Sequence, residues 1–142
     1  MLKKNKFDEF VENLQQEIIQ KELEEFSERV VELFHNPHNW GKPKDSEITV
    51  EESYLGPCGD TMHFFFKIED GVIIKANFIT DGCGASVAAG SQTTLLVENV
   101  KVKEAKHLTA KQIDKILNLP DDHKHCAVLA VTTLKRALEK YK

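Results

Sequence analysis

Residues 7–34 contain neither glycine nor proline and are rich in Glu, Lys, Gln and Leu, all good helix formers. Phe7, Val11, Leu14 and Ile18 recur at helical spacing and draw one apolar stripe. A second stripe runs through Leu23, Phe26, Val30 and Leu33 or Phe34, one residue out of phase with the first. The offset predicts two helices, or one bent helix, meeting around Gln20 and Lys21, with both stripes turned to a core. Ser27 falls inside the second stripe and gives no clear start signal. Asn36-Pro37 ends the run, because a residue before proline is pushed out of the α region. A polar loop follows from His35 to Asp45, with Trp40 as its anchor.

The period then changes. Ile48–Ser53, Thr61–Glu69 and Val72–Thr80 read as three strands, with Met62, Phe64, Phe66 and Ile68 alternating onto one face of the second. Asp70-Gly71 is a strong two-residue hairpin signal between the last two strands. The small, apolar run from Ala85 to Val97 reads as a buried helix whose N-terminus points at Cys83. Lys101–His107 reads as a charged connector or short helix. Thr109 is a cap for a helix that buries Ile113, Ile116 and Leu117. After Pro120-Asp121-Asp122, the last helix opens at His125-Cys126, with a stripe through Val128, Val131, Leu134 (or Thr132), Leu138 and Tyr141.

Composition narrows the class without choosing a function. An apolar fraction of 41% and a charged fraction of 30% are those of an ordinary soluble domain, and 142 residues suit a single core. A net charge of −4 offers no basic face for nucleic acid. No stretch approaches the roughly 18–20 apolar residues of a membrane span. The positive segment Met1–Lys6 is followed by no apolar run and does not read as a secretory signal. Three cysteines without such a signal point to a reducing, cytoplasmic setting, where thiols more often bind metal than pair as disulfides.

The candidate chemistry lies at those cysteines. They sit in Gly56-Pro57-Cys58-Gly59-Asp60, Asp81-Gly82-Cys83-Gly84 and His123-Lys124-His125-Cys126. The hairpin brings the first two stretches side by side, so Cys58 and Cys83 are expected to be neighbours. Cys83 and Cys126 each fall at a helix start, where free N–H groups and the helix dipole favour a thiolate. Three thiols with His125 and Asp60 form a mixed sulfur, nitrogen and oxygen set suited to zinc or an iron–sulfur centre. No Cys-x-x-Cys pair is present, which argues against a permanent structural zinc. Three thiolates also leave little Lewis acidity for a metallohydrolase. His123, beside two aspartates, reads as solvated; His63 reads as a surface residue, and His35, His38 and His107 carry no signal.

Four features in order resemble the IscU/NifU-type iron–sulfur cluster assembly scaffolds. They are Phe34-His35-Asn36-Pro37-His38-Asn39-Trp40-Gly41, the Cys58-Gly59-Asp60 loop, Asp81-Gly82-Cys83-Gly84, and Leu119-Pro120 ahead of His125-Cys126. The resemblance implies an α+β sandwich, a three-stranded antiparallel sheet packed against helices, over residues 25–142. Residues 1–24 are then an N-terminal helical extension that covers exposed core, makes a homodimer or binds a desulfurase. The implied function is a non-catalytic scaffold that builds a transient 2Fe–2S cluster and passes it to acceptor apoproteins. Its ligands by the family pattern are Cys58, Cys83 and Cys126, completed by His125 or Asp60, with Fe2+ or Zn2+ able to occupy the same residues. Cys126 is the implied acceptor of persulfide sulfur from a cysteine desulfurase, and Asp60 the residue that keeps the cluster labile. The alternative is a zinc-bound sulfur acceptor, but zinc-dependent SufU-type relatives carry an insertion and lack the histidine that this chain keeps. The family's chaperone-recruiting Pro-Val-Lys is matched by Asp121, Asp122 and His123, an acidic change that argues against a dedicated chaperone.

Overall fold

The computed structural model describes residues 5–142, so residues 1–4 of the expected extension lie outside it. Helix α1 spans Lys6–Glu25 and α2 spans Glu28–His35. The break falls at Phe26-Ser27, not at Gln20-Lys21. Ser27 decides its position: its hydroxyl oxygen accepts from the Val30 N–H at 3.2 Å and its proton goes to the Leu117 carbonyl at 2.6 Å. One side chain thereby starts a helix and ties it to a segment 90 residues away.

The expected core role of the first stripe is also overturned. No residue of α1 is buried, and Phe7 and Leu14 are 71% and 46% exposed. The helix touches the rest of the protein chiefly through α2. Its stripe is amphipathic by sequence, but the domain's core is already closed by other elements. In α2 the pattern does hold, with Val30, Val31 and Leu33 buried.

The sheet has strands β1 (Val50–Leu55), β2 (Thr61–Glu69), β3 (Val72–Thr80) and β4 (Val100–Lys101), antiparallel in the order β1-β2-β3-β4. The expected sheet had three strands. The fourth is two residues long, too short to show a period, and pairs Val100 with Ile73. It leads directly into the four-residue helix α4 (Val102–Ala105), the short helix that was one of the two readings of this stretch, and α4 buries Val102 and Ala105. The far edge of β3 is covered by the Trp40 loop, whose Asn39 carbonyl accepts from Phe78 N–H and whose Gly41 N–H donates to the Phe78 carbonyl.

Helices α3 (Gly84–Val97), α5 (Ala110–Leu117) and α6 (His125–Glu139) complete the fold. Met62, Phe64, Phe66 and Ile68 all point into the core as the alternation predicts. Thr109 and Gln112 form a reciprocal capping box at the start of α5. Helix α3 lies on β3, and α6 lies on β1 and β2, with α2 and α5 packed outside them. On α6 the buried face is set by Cys126, Ala127, Ala130, Leu134 and Leu138, whereas Val128 is 54% exposed. Small residues bring α3 close to the sheet. A Cβ at Gly90 would lie 2.4 Å from the Phe78 ring and 3.0 Å from the Met62 sulfur. Gly90→Ala is therefore expected to cost about 1–3 kcal/mol by overpacking, despite alanine's better helix propensity. Urea unfolding at an unchanged m-value checks this; equal midpoints would refute it.

Candidate metal centre

The three cysteine stretches meet at one end of the sheet. The loop between β1 and β2 is a tight turn, with Gly56 N–H donating to the Asp60 carbonyl at 2.9 Å and Gly59 N–H to the Gly56 carbonyl at 3.0 Å. Gly59 has φ of 93°, a left-handed conformation that glycine adopts without steric cost. Across the hairpin, Thr61 N–H donates to the Asp81 carboxylate at 2.7 Å, locking the two loop ends together. A Cβ at Gly82 would strike Ser86 at 2.6 Å and Asp60 at 2.9 Å, so this glycine is what lets the Cys83 loop lie against both. Cys83 is the N-cap residue of α3, and Cys126 lies in the first turn of α6.

Among the described residues, the cysteines with their nearby His and Asp donors fall into two groups of three, and His123 also belongs to a third group with Glu25 and Asp122. Sγ of Cys83, Sγ of Cys126 and a ring nitrogen of His123 lie within 4.8 Å of one another, as do donor atoms of Cys58, Asp60 and His125. Ser86 joins the two, its Oγ being 3.3 Å from Asp60 Oδ2 and 3.3 Å from Cys126 Sγ. Its single proton serves one of them at a time. His125 Nε2 is 3.6 Å from Cys126 Sγ, so these adjacent side chains do face one site. The hairpin ends are neighbours as expected, but Cys58 and Cys83 belong to different groups of three. Thiolates and imidazoles in such proximity suit soft or borderline cations, and the Asp60 carboxylate adds a harder oxygen donor.

The thiols are not equivalent. Cys58 and Cys83 are exposed, whereas Cys126 is fully buried. Burial is the main cause that pushes the Cys126 thiol up to about 12; the Ser86 hydrogen bond opposes it, and Cys83 and Asp60 add to it. The expectation that this helix start is thiolate-prone is therefore reversed, because desolvation outweighs the helix dipole there. A metal ion bound at Cys126 must displace a proton that water alone does not remove near neutral pH.

Sequence reasoning set His123 aside as solvated, and the structure corrects this. Its Nδ1 lies 3.8 Å from Cys83 Sγ and its Nε2 lies 3.2 Å from Glu25 Oε1. A signal was present in His123-Lys124-His125-Cys126, since residues three apart in a helical turn share a face. His63, read as surface, is half-buried, stacked on Phe65 and hydrogen-bonded to Glu51. The expected loop anchor Trp40 packs its ring edge against Phe78, although nearly half of it stays exposed.

Helices layered on one face of an antiparallel sheet, with thiols from three loops gathered at its end, define a small α+β domain whose Cys/His groups have the spacing to hold a metal ion. The NifU-like N terminal domain family matches residues 25–142. The chain belongs to this family of IscU/NifU-type scaffolds. It is 38% identical over 120 residues to the iron-sulfur cluster assembly enzyme IscU of Drosophila melanogaster, covering 82% of this chain and 78% of that one. It is 36% identical over 120 residues to the iron-sulfur cluster assembly scaffold protein IscU of Haemophilus influenzae, covering 82% and 95%. The fold is shared with a NifU-like protein (N-terminal) from Brucella abortus at a TM-score of 0.59 and 15% identity, covering 82% and 95% of the two chains.

The difference in exposure gives a direct check. Iodoacetamide on the native, metal-free protein is expected to label Cys58 and Cys83 while sparing Cys126, which reacts only after denaturation. Peptide mass spectrometry reads the order, and equal labelling of all three in the native state would contradict the geometry.

Proposed function

We propose that this protein is a scaffold on which a labile 2Fe–2S cluster is assembled and from which it passes to acceptor apoproteins. The observation that carries the reading is the pair of adjacent donor groups bridged by Ser86, which gathers three thiols, two imidazoles and a carboxylate in one pocket. Family membership and the names of the relatives support it. In this reading Cys58, Cys83 and Cys126 hold the cluster, with His125 or Asp60 as the fourth ligand. The protein works as a carrier and not as a catalyst in its own right, in a reducing cytoplasm that keeps the thiols free.

Sulfur arrives as a persulfide on a cysteine desulfurase. The thiolate of Cys126 attacks the outer sulfur, the donor's S–S bond breaks, and the donor leaves as its own thiolate. Cys126 then carries the persulfide, and two electrons from an external reductant release the sulfur as sulfide. Because Cys126 is buried and protonated, transfer to it requires the start of α6 to open and the proton to leave. Asp60 is a hard oxygen donor among soft ones, so where it serves as the fourth ligand it would be the first of the set to yield. The exposed acidic pair Asp121-Asp122 gives a dedicated chaperone no apolar or basic tag to hold.

Anaerobic incubation with ferrous iron, cysteine and a desulfurase is expected to give the visible absorption of a 2Fe–2S centre. Asp60→Ala is expected to slow its loss to a chelator. A colourless protein that retains only tightly bound zinc would sink the scaffold reading in favour of a zinc-bound sulfur acceptor.

A further inference from the structure

The residues around His123 form an arrangement that the five expected ligands do not include. His123 is held on both sides of its ring. On one side Glu25 Oε1 meets Nε2 at 3.2 Å, with Asp122 Oδ2 further off at 3.8 Å. With Nε2–H donating to that carboxylate, Nδ1 is the ring nitrogen left for a metal. On the other side that Nδ1 faces Cys83 Sγ at 3.8 Å. The Phe26 ring packs edge-on with its centroid 4.9 Å from that of the imidazole, and the side chain is only 19% exposed, so the ring's orientation is constrained.

This is how a metal-binding histidine is presented: one nitrogen aimed at the site, the other tethered to a carboxylate that sets tautomer and orientation and raises basicity. Distances agree. With zinc–sulfur bonds of about 2.3 Å and zinc–nitrogen bonds of about 2.0–2.1 Å, tetrahedral geometry separates sulfur from nitrogen by about 3.6 Å. The observed 3.8 Å needs almost no movement. Cys126 Sγ completes the group within 4.8 Å. Three ligands leave the fourth position of a tetrahedral ion open. A cleft of about 220 Å³ reaches the site between Glu25, Phe26, Phe34, Gly84 and His123.

We propose that Cys83, Cys126 and His123 bind a divalent zinc or ferrous ion, and that Glu25, at the end of α1, is the positioning residue for His123. The N-terminal helix thereby ends in a part of the metal site. The proposal shares its pocket with the scaffold reading but is tested with zinc alone, so cluster assembly and this site can fail separately.

The test uses the full chain, one equivalent of zinc, a competing chelator for affinity and X-ray absorption at the zinc edge for ligand identity. Imidazole scattering is expected in the wild type and in His125→Ala, and its loss in His123→Ala. Removing the ligand should weaken zinc by more than the roughly 10–100-fold typical of an outer partner, and Glu25→Ala by about 10-fold. Glu25→Gln, which keeps an acceptor oxygen, is expected to recover most of that loss, which a purely structural role at the helix end would not predict. Circular dichroism establishes that each variant is folded. The proposal is overturned if His125→Ala removes the imidazole signal, or if His123→Ala binds zinc as the wild type does.

Discussion

Helix α3 approaches β3 so closely that one methyl group at position 90 would strike the ring of Phe78, and the placing of the thiols depends on that approach. It puts the first turn of α3 at the end of the hairpin, with Cys83 as its N-cap. There Ser86 reaches both the Asp60 loop and Cys126 on α6. A second close contact, of Gly82 with Ser86 and Asp60, lets the two loops share one pocket. Two glycines thus convert three separated loops into one set of donors. Larger residues at either position would push the layers apart and separate the thiols before they altered any sulfur directly.

The same compactness makes the thiols unequal. Cys58 and Cys83 stand at the surface, while the packing that brings Cys126 to them also takes it out of water. Desolvation then holds it protonated against the helix dipole, whose effect falls off within a turn and is worth at most a couple of kcal/mol. In the proposed carrier role this asymmetry has a use. Two thiols can meet an incoming ion at once, and the third is engaged only when a metal or a local opening at α6 removes its proton.

Much of the domain was legible in the sequence because it rests on local rules. Alternation at Met62, Phe64, Phe66 and Ile68, the Asp70-Gly71 turn and the Thr109 cap each act within a few residues. What sequence did not show depends on distant partners. Ser27 starts α2 because a carbonyl at Leu117 takes its proton. The stripe of α1 has the period of a core helix, yet the core is closed without it. His123 reads as solvated until Glu25 and Cys83 are seen on either side of its ring. The cysteine stretches stand out in sequence through their Gly-Cys-Gly and Cys-Gly-Asp flanks, but the division of their donor atoms into separate groups does not.

A site assembled from three loops, with one thiol that must be deprotonated and one carboxylate among softer donors, is suited to holding its cargo for a time. A permanent centre would have closed four matched ligands around the metal. Cluster transfer tests that distinction most directly. The reconstituted protein is mixed anaerobically with an apo-ferredoxin in the presence of an iron chelator, and visible circular dichroism follows the cluster. The account predicts that the signal changes from that of this protein to that of the ferredoxin, in good yield and without passing through chelated iron. A cluster that stays where it was built, or that reaches the ferredoxin only when the chelator is omitted, would contradict it.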